Sequence, residues 1–513
     1  MKKIKLLLIA LAIMFSFAIS ANAASMETEE NDSYYTADYV TPGETITGTI
    51  NNQDDNDYYE IVPSANGKLT VSFSHKYRDN GRGWTIYIYK FDDGEYEQLS
   101  CVNVALNDNE TVTLPFVGLV KGHSYYIRVV KDYYNDVVGI QYTLKTSFTK
   151  SNSFEKEINN SYDKATSVSL GAAYTGVINN GDDNDYYKIV PTANGKISLS
   201  FSHKYKDNGK GWSVYIYKFD DGEYKQLSCT NISLNDNETI TLPFVGAVKG
   251  QSYYVRVVKD YYNDVVGVQY TLNTSFTQSG YYEKEINGSS DKATSVTLNN
   301  SYTGVINNGD DSDYYKIVPT ATGKIDISFT HKYVNNGRGW LVYIYKYDDG
   351  QYVELSRTGI AMNKEEAVTL PFIGAVKGQN YYIKVVKDYY NDVVGVEYTL
   401  NISFAESNYY EKEVNSSSDN ATSVTLDKSY TGVLNNGGDN DYYKIVPSEN
   451  GKIAISFTHK YVNNGRGWLV YLYKYEGGQY VELSCTGIAM NKKEAVTLPF
   501  IGAVKGRNTT SEL

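Results

Sequence analysis

The amino-acid sequence predicts an all-β protein made of tandem antiparallel β-sandwich domains of a jelly-roll-like kind. Helical periodicity is almost absent, and short apolar and aromatic runs are separated by Gly, Asp and Asn turns. The 513-residue chain also repeats itself with a step of 128 residues, which is seen at Trp84, Trp212, Trp340 and Trp468. This step is too long for a solenoid unit and has the length of a whole domain.

The second repeat shows the predicted strands most plainly. Residues 195–201 alternate apolar and polar side chains, and residues 211–219 are rich in aromatic and β-branched types. An Asp-Gly turn and a return strand follow, which predicts a hairpin. Five further strands are predicted at "YTGVI", "DYYKIV", 238–244, 252–258 and 266–272. About eight short strands at this spacing are typical of a β-sandwich.

The first 23 residues have the pattern of a secretory signal peptide. Lysines are followed by an apolar run and by Ala21-Asn22-Ala23, which matches an A-x-A cleavage site. No later run of about 20 apolar residues is present, so we expect no transmembrane segment in the mature chain. The predicted organisation is signal peptide 1–23 and repeats 27–154, 155–282, 283–410 and 411–513. The mature protein is expected to be secreted and extracellular or associated with the cell surface.

The fourth repeat, 411–513, stops before the last two strands that the other repeats contain. A sandwich without its last hairpin exposes core side chains and unpaired strand edges. We therefore expect either that this repeat is poorly folded on its own or that the reading frame was truncated, and the dissimilar tail "RNTTSEL" favours truncation.

Net charge narrows the class of partner. The chain has 60 Asp and Glu against 48 Lys and Arg, a formal charge of -12, and no basic block that would neutralise phosphates. Nucleic acid is therefore not an expected partner. An acidic surface is compatible with divalent cations or with neutral polymers.

Two acidic segments recur in every repeat. In the second repeat, Glu155, Glu157 and Asn159 open the unit, and Asp182 and Asp185 precede a pair of tyrosines. Calcium needs six to eight oxygen ligands, and a divalent cation turns the repulsion among clustered carboxylates into attraction. The alternative is that the acidic turns are Asx-turns that face water.

The order of these motifs resembles a known family. E-x-E-x-N, Ala165-Thr166, G-x-I/L, D-x-D-Y-Y, G-x-x-Y-Y-x-x-V and a closing Y-T-L occur in succession. This combination is similar to the bacterial pre-peptidase C-terminal domain and to its relative, the collagen-binding domain of clostridial collagenases. The resemblance covers the full length of each repeat. It implies a β-sandwich of secreted bacterial proteins which, in some members, holds calcium between the opening segment and the acidic turn.

The resemblance assigns candidate Ca²⁺ ligands residue by residue. In the first repeat they are Glu27, Glu29, Asn31, Asp32, Asp54 and Asp57. In the second they are Glu155, Glu157, Asn159, Asp182 and Asp185, and in the third Glu283, Glu285, Asn287, Asp310 and Asp313. In the fourth, Gly438 replaces the first aspartate and leaves Glu411, Glu413, Asn415 and Asp441. Since ligand charge tunes affinity, the first repeat is expected to bind calcium best.

Catalytic motifs are missing from the sequence. It contains no G-x-S-x-G elbow, no H-E-x-x-H helix and no catalytic Cys/His pairing. Four of the five histidines occupy one repeated position inside "SHKY" or "THKY". We therefore expect that the protein is not an enzyme.

Paired tyrosines in the "KDYYND" loop are the predicted ligand-binding residues. They are Tyr133, Tyr134, Tyr261, Tyr262, Tyr389 and Tyr390. Binding residues concentrate in loops, and tyrosine stacks on sugars or peptides at a small entropy cost. The alternative is that one ring packs beneath the loop while the other covers a sheet edge.

Together these features predict a secreted, non-catalytic array of calcium-supported modules that bind an extracellular polymer, either collagen-like protein or polysaccharide. Repeated weak sites on one chain engage a polymer at high effective concentration. Two alternatives remain open, namely a structural stalk or spacer and a non-catalytic remnant of a larger secreted peptidase.

Overall fold

The computed structural model describes residues 24–512 except 80, 109, 134–135, 208, 237, 263, 334–337, 365, 391, 464–466 and 493–494. The predicted signal peptide 1–23 and Tyr134 lie outside the described residues. Forty strands and no helix occur in the part that is described. No helix there is long and apolar enough to cross a membrane. The predicted all-β class is confirmed.

The strands follow the repeats. The first repeat contains β1 (Ser25–Met26), β2 (Asp38–Tyr39), β3 (Thr45–Thr49), β4 (Asn56–Ile61), β5 (Gly67–His75), β6 (Trp84–Asp92), β7 (Glu95–Val104), β8 (Thr111–Thr113), β9 (Val117–Leu119), β10 (Tyr125–Lys131) and β11 (Gln141–Lys150). The second contains β12 (Thr166–Ser167), β13 (Ala173–Val177), β14 (Asn184–Ile189), β15 (Gly195–His203), β16 (Trp212–Asp220), β17 (Glu223–Ile232), β18 (Thr239–Thr241), β19 (Val245–Ala247), β20 (Tyr253–Lys259) and β21 (Gln269–Gln278).

The later repeats have the same order of strands. The third contains β22 (Thr294–Val296), β23 (Asn300–Val305), β24 (Ser312–Ile317), β25 (Gly323–His331), β26 (Trp340–Asp348), β27 (Gln351–Ile360), β28 (Ala367–Thr369), β29 (Ile373–Ala375), β30 (Asn380–Lys387) and β31 (Glu397–Glu406). The fourth contains β32 (Thr422–Val424), β33 (Tyr442–Ile445), β34 (Gly451–Ile453), β35 (Ser456–Thr458), β36 (Trp468–Glu476), β37 (Gln479–Ile488), β38 (Ala495–Thr497), β39 (Ile501–Ala503) and β40 (Thr509–Glu512).

Local sequence explains these strands. Along β15, Ile197, Leu199 and Phe201 are buried and alternate with partly exposed polar residues, which is the two-residue period of a strand that covers a core. Between β16 and β17, Asp221 has φ 51° and Gly222 has φ 82°. Positive φ at both central residues is what a tight two-residue hairpin turn requires.

Each of the first three repeats contains two sheets. In the second repeat one sheet has the order β12-β14-β20-β16-β17, and the other has the order β13-β21-β15-β18 with β19 also paired to β15. In both sheets of the second repeat the paired strands are antiparallel, except for the short edge pair β12–β14, which is parallel. Buried side chains from both sheets, with Trp212 and Tyr270 among them, form one core. Strands β12 and β19 were not predicted, because two or three residues are too few to show a periodicity.

The fourth repeat is built differently. Its small core is divided into two clusters. Trp468 is partly exposed, whereas Trp84, Trp212 and Trp340 are at most 1% exposed. In the third repeat β30 lies between β24 and β26 and pairs with both. In the fourth repeat the short strand β40 takes that place between β33 and β36. Less apolar burial leaves less free energy to oppose local opening.

We expect limited proteolysis of the mature chain to cut residues 411–513 first and to leave the first three repeats intact. Cleavage follows the population of locally opened states, which the divided core of the fourth repeat favours. Mass spectrometry of the fragments over time measures the order. Equal lifetimes for all four repeats would contradict the expectation.

Candidate functional site

Three carboxylates converge in each repeat. The two glutamates of the opening segment meet the aspartate that precedes the paired tyrosines. One oxygen from each of the three lies within 4.8 Å of the others. The groups are Glu27, Glu29 and Asp57; Glu155, Glu157 and Asp185; Glu283, Glu285 and Asp313; and Glu411, Glu413 and Asp441.

Hydrogen bonds hold one oxygen of each carboxylate in the second repeat. Glu155 Oε1 accepts from the Val177 N–H at 3.0 Å, and Glu157 Oε1 accepts from Asn179 Nδ2 at 3.3 Å. The Tyr270 hydroxyl donates to Asp185 Oδ2 at 2.5 Å. These bonds restrain the three side chains that approach one another within 4.8 Å.

Several other oxygens at the group are buried without a hydrogen-bond partner among the described residues. In the second repeat these atoms are the Oδ1 atoms of Asn159, Asn179 and Asp185. The third repeat has the same three at Asn287, Asn307 and Asp313. Buried polar atoms are nearly always paired, and an unpaired one costs about 1–3 kcal/mol. A set of oxygen donors fits a hard cation such as Ca²⁺ better than a soft metal.

Burial and mutual repulsion raise the pKa of every carboxyl in these groups. In the second repeat, burial and the nearby Asp183 hold the pKa of Asp185 and of Glu157 well above the usual range. Burial also raises the pKa of Asp183, to about 6. In the fourth repeat, burial and then Asp441 raise the pKa of Glu411 to about 10. A bound divalent cation would remove the energetic cost of ionising such groups.

The structure brings together most of the predicted ligands. The glutamates and the last aspartate of each acidic turn lie together in each repeat. The predicted asparagines, two residues after the second glutamate, are fully buried at Asn31, Asn159, Asn287 and Asn415. Asp32 is exposed and accepts a hydrogen bond from the Asn56 N–H at 3.0 Å.

The first aspartates of the acidic turns do not join the groups. Asp54, Asp182 and Asp310 are exposed, because the side chain of Asn180 accepts from the Asp182 N–H at 2.9 Å and the turn directs that aspartate outward. The next aspartate points inward instead, and Asp183 Oδ2 accepts from the Asn179 N–H at 2.7 Å. The aspartates at this inward position are Asp55, Asp183, Asp311 and Asp439.

The prediction therefore missed two kinds of residue at the group. One is the inward aspartate at positions 55, 183, 311 and 439, and the other is the asparagine at 51, 179, 307 and 435. Both residue types recur at the 128-residue step, and this recurrence in the sequence could have identified them as candidate ligands. A buried tyrosine pair was also missed: the hydroxyls of Tyr187 and Tyr270 lie 2.8 Å apart and contact Glu155 and Asp185 respectively.

Each group after the first is packed against the preceding repeat. The Glu157 N–H donates to the carbonyl of Gly118 at 3.0 Å, and Asn180 Nδ2 donates to the carbonyl of Leu99 at 2.9 Å. A Cβ atom at Gly118 would overlap the Glu155 carbonyl, so glycine permits this close approach. The same contacts recur at the next junction, where Glu285 donates to Gly246 at 2.9 Å.

The first group is more exposed than the other three. Glu29 is exposed there and Glu27 is half-buried, whereas Glu155 and Glu157 are at most 2% exposed. The residues that the sequence assigned to the best calcium site thus form the group most open to water.

The loop tyrosines lie at the surface, as a binding role requires. Tyr133, Tyr261 and Tyr389 are 90%, 91% and 87% exposed, and their neighbours Tyr262 and Tyr390 are 53% and 46% exposed. Tyr262 borders an open cleft of about 460 Å³ that Lys210, Asn235 and Asp264 also line.

A second tyrosine-rich surface was not predicted. The outer face of the sheet that contains β14, β16 and β20 has side chains from all three strands in contact. Arg256 lies over the rings of Tyr186 and Tyr215, at 5.7 Å from each centroid. Tyr217 pairs with Tyr254 across the strands. Alternate tyrosines in "VYIYK" were the available signal, but alternation alone did not show which face they occupy.

Comparison with known proteins gives one sequence relative. Over 198 residues the chain is 30% identical to Collagenase ColT of Clostridium tetani, a match that covers 37% of this chain and 19% of that collagenase. The predicted resemblance to clostridial collagenases is thereby confirmed. No family model matches the chain.

Solved structures of other proteins also match this chain. The pre-peptidase C-terminal domain of a Bacillus anthracis collagenase is 19% identical, with a TM-score of 0.17 and coverage of 22% of this chain and 94% of that one. The tandem CBM22 domains of Paenibacillus barcinonensis Xyn10C are 10% identical, with a TM-score of 0.16 and coverage of 43% and 82%.

Because the pKa values of the carboxylate groups are raised, we expect the metal-free chain to become less stable as the pH rises. Their pKa values are raised on folding, so the folded chain binds more protons and its stability falls as pH rises through those values. We expect a chelator-treated chain to melt at a lower temperature at pH 9 than at pH 5.5, since Asp57 has a pKa of about 9 and Glu411 one of about 10. Differential scanning calorimetry measures the trend.

Calcium should reverse this trend, because metal binding needs ionised ligands. The variant Asp185→Asn with Asp313→Asn serves as the control, and its melting temperature should depend less on pH. A melting temperature of the metal-free chain that is flat or rises between pH 5.5 and pH 9 would contradict the assignment.

Proposed function

We propose that the chain is a secreted, non-catalytic array of β-sandwich modules, with boundaries at 27–154, 155–282, 283–410 and 411–513. The modules are stabilised by Ca²⁺ and bind an extracellular polymer, outside the cell or at its surface. The carboxylate groups carry this proposal, because they recur in each repeat, and those of the second, third and fourth repeats are buried where one module meets the next.

The chemistry of the donors supports calcium. Six oxygen-bearing side chains are candidates in the second repeat, namely the group Glu155, Glu157 and Asp185 and the buried Asn159, Asn179 and Asp183. Six is the lower end of the coordination number of calcium. Calcium would neutralise the carboxylates there and bring the opening segment to the acidic turn.

Exposed tyrosines support polymer binding. The loop pairs Tyr261–Tyr262 and Tyr389–Tyr390 present rings to solvent in corresponding places of two repeats. Each ring pair is arranged edge to face, at 5.4 and 5.2 Å. The Arg338 guanidinium lies 4.4 Å from the centroid of Tyr390, so the rings best placed to stack on a ligand are the highly exposed Tyr261 and Tyr389. The sequence similarity to a collagenase favours collagen-like protein as the polymer over polysaccharide.

The packing of the repeated histidines supports the proposal that the protein is not an enzyme. His203 is 7% exposed, and its ring packs at 5.3 Å from Trp212. Its Nδ1 lies 3.2 Å from the carbonyl of Lys204. Ser202 precedes it on β15 and therefore points to the opposite face of the sheet, away from any position in which the imidazole could act as its base.

Calcium binding can be tested with a pair of double variants. Asp183→Asn with Asp311→Asn removes the inward aspartates of the second and third repeats. We expect this variant to lose about half of the saturable terbium luminescence of the mature chain, since two of four sites lose a charged ligand. The Tyr187 hydroxyl lies 3.4 Å from Glu155 Oε2, so its ring would sensitise terbium bound at the group.

The matched control is Asp182→Asn with Asp310→Asn, which changes the exposed neighbours and should leave the luminescence intact. Equal losses in both variants would reject the inward assignment. An absence of saturable binding of terbium or calcium to the unaltered chain at millimolar concentration would reject the metal site as a whole.

Polymer binding can be tested by pull-down of the mature chain on fibrillar collagen, cellulose, chitin and peptidoglycan, with calcium and with a chelator. We expect retention on collagen in calcium. Alanine at Tyr261, Tyr262, Tyr389 and Tyr390 should reduce retention at least about tenfold, because two of the linked contacts are lost.

The control variant replaces Tyr205 and Tyr333 by alanine and should keep its retention. These tyrosines are 49% and 46% exposed and lie in a different loop of the second and third repeats. The buried Tyr187 is unsuitable as a control, because its removal would leave a cavity. Calcium binding without retention on any polymer would favour the stalk or spacer. Hydrolysis of a polymer by the purified chain would reject the non-catalytic assignment.

A further inference from the structure

In the first two repeats a tyrosine lies flat on the tyrosine-rich sheet face. The ring of Tyr162 stacks on Tyr224 with centroids 3.5 Å apart and planes 7° apart. Tyr34 stacks on Tyr96 in the same manner, at 3.6 Å and 13°. Both stacked tyrosines follow the opening acidic segment of their repeat by a few residues.

Three more rings enclose the stacked tyrosine in the second repeat. Tyr186, Tyr217 and Tyr254 present edges to Tyr162 at 4.8, 5.6 and 5.3 Å, with planes 69° to 86° from it. One parallel floor and three perpendicular walls define a slot for a flat ring, which we call the ring slot. Stacked and edge-to-face pairs are the favoured arrangements of aromatic rings.

The third repeat keeps the ring slot but lacks its occupant. Ser290 stands where the second repeat has Tyr162, while the floor and walls are present as Tyr352, Tyr314, Tyr345 and Tyr382. Tyr352 and Tyr382 are 5.2 Å apart at 72°, close to the 5.3 Å and 80° of Tyr224 and Tyr254. Within the described residues, the rings against Tyr352 are those of Tyr347 and Tyr382.

Two of the four slot rings are more exposed in the third repeat than in the second, while Tyr382 is 5% exposed, as Tyr254 is. Tyr352 is 46% exposed against 38% for Tyr224, and Tyr314 is partly exposed where Tyr186 is 8% exposed. In the fourth repeat Ser418 also lacks a ring, but Thr510 replaces the wall tyrosine. A complete slot without its own tyrosine therefore belongs to the third repeat.

We propose that the ring slot of the third repeat binds an aromatic side chain, preferentially tyrosine, of another polypeptide. The occupants of the same slot in two sister repeats are tyrosine rings, and they define the chemistry that fits it. The slot is separate from the loop tyrosines, since Tyr382 lies near the start of β30 and Tyr389 follows its end. It does not depend on the metal or on the proposed polymer.

The test uses two five-residue peptides and the full mature chain. One peptide is NSYDK, the sequence of residues 160–164 that supplies Tyr162, and the control is GSSDK, residues 288–292 of the third repeat. Saturation-transfer NMR and a titration measure binding. We expect NSYDK to bind one site and GSSDK not to bind.

Two variants change the number of open slots in opposite directions. Ser290→Tyr fills the slot of the third repeat and should weaken NSYDK binding about tenfold, the value of one aromatic contact. Tyr162→Ser opens the slot of the second repeat and should raise the number of sites from one to two. Ser289→Tyr, one position away, is the control and should leave binding unchanged.

Binding of NSYDK that is the same in the unaltered chain and in Ser290→Tyr would overturn the proposal. If Ser290→Tyr does not fold, Tyr162→Ser decides, and a site number that stays at one overturns it. Oligosaccharide binding that Ser290→Tyr abolishes, without binding of NSYDK, would also overturn it and would assign the slot to sugars.

Discussion

The contacts between successive repeats depend on carboxylate side chains that are buried next to one another. Three carboxylates and a fourth nearby are enclosed in each junction without a lysine or arginine bonded to them among the described residues. Desolvation and repulsion both oppose ionisation, which is why the pKa of every member is raised. Each junction therefore needs either protons or a cation to neutralise these carboxylates. Tyrosine hydroxyls and backbone N–H groups donate hydrogen bonds to the carboxylate oxygens and hold them in place.

Packing between repeats follows from the same segment. The opening glutamates belong by sequence to one repeat, yet their backbone pairs with Gly118 or Gly246 of the repeat before, and Ile158 enters the core of the first repeat. Lys164 extends the contact by donating to Asp92 at 2.9 Å. Domain boundaries drawn from the 128-residue period therefore pass through a region where two cores meet, and the carboxylate groups are part of that contact.

Much of the fold could be predicted from the sequence, and the reasons are local. Alternation along residues 195–201 and the Asp-Gly turn determine strands and a hairpin without distant information. The site was predicted in part, because the converging segments are marked by repeated acidic residues. Which aspartate of "DDND" points inward could not be predicted, since that depends on Asn179 and Asn180 capping the turn. The tyrosine face was missed because periodicity does not distinguish a core side from a solvent side when both carry tyrosine.

The unequal burial of the four carboxylate groups has a kinetic consequence. An ion at Glu27, Glu29 and Asp57 can reach water directly, so it would exchange quickly and follow the composition of the surroundings. An ion at Glu155 or Glu283 lies behind the contact of two modules and could leave only as fast as those modules separate. With the proposed Ca²⁺ bound, one chain would then combine a rapidly exchanging first repeat with slowly exchanging links, and the contacts between modules would persist through brief changes in ambient calcium.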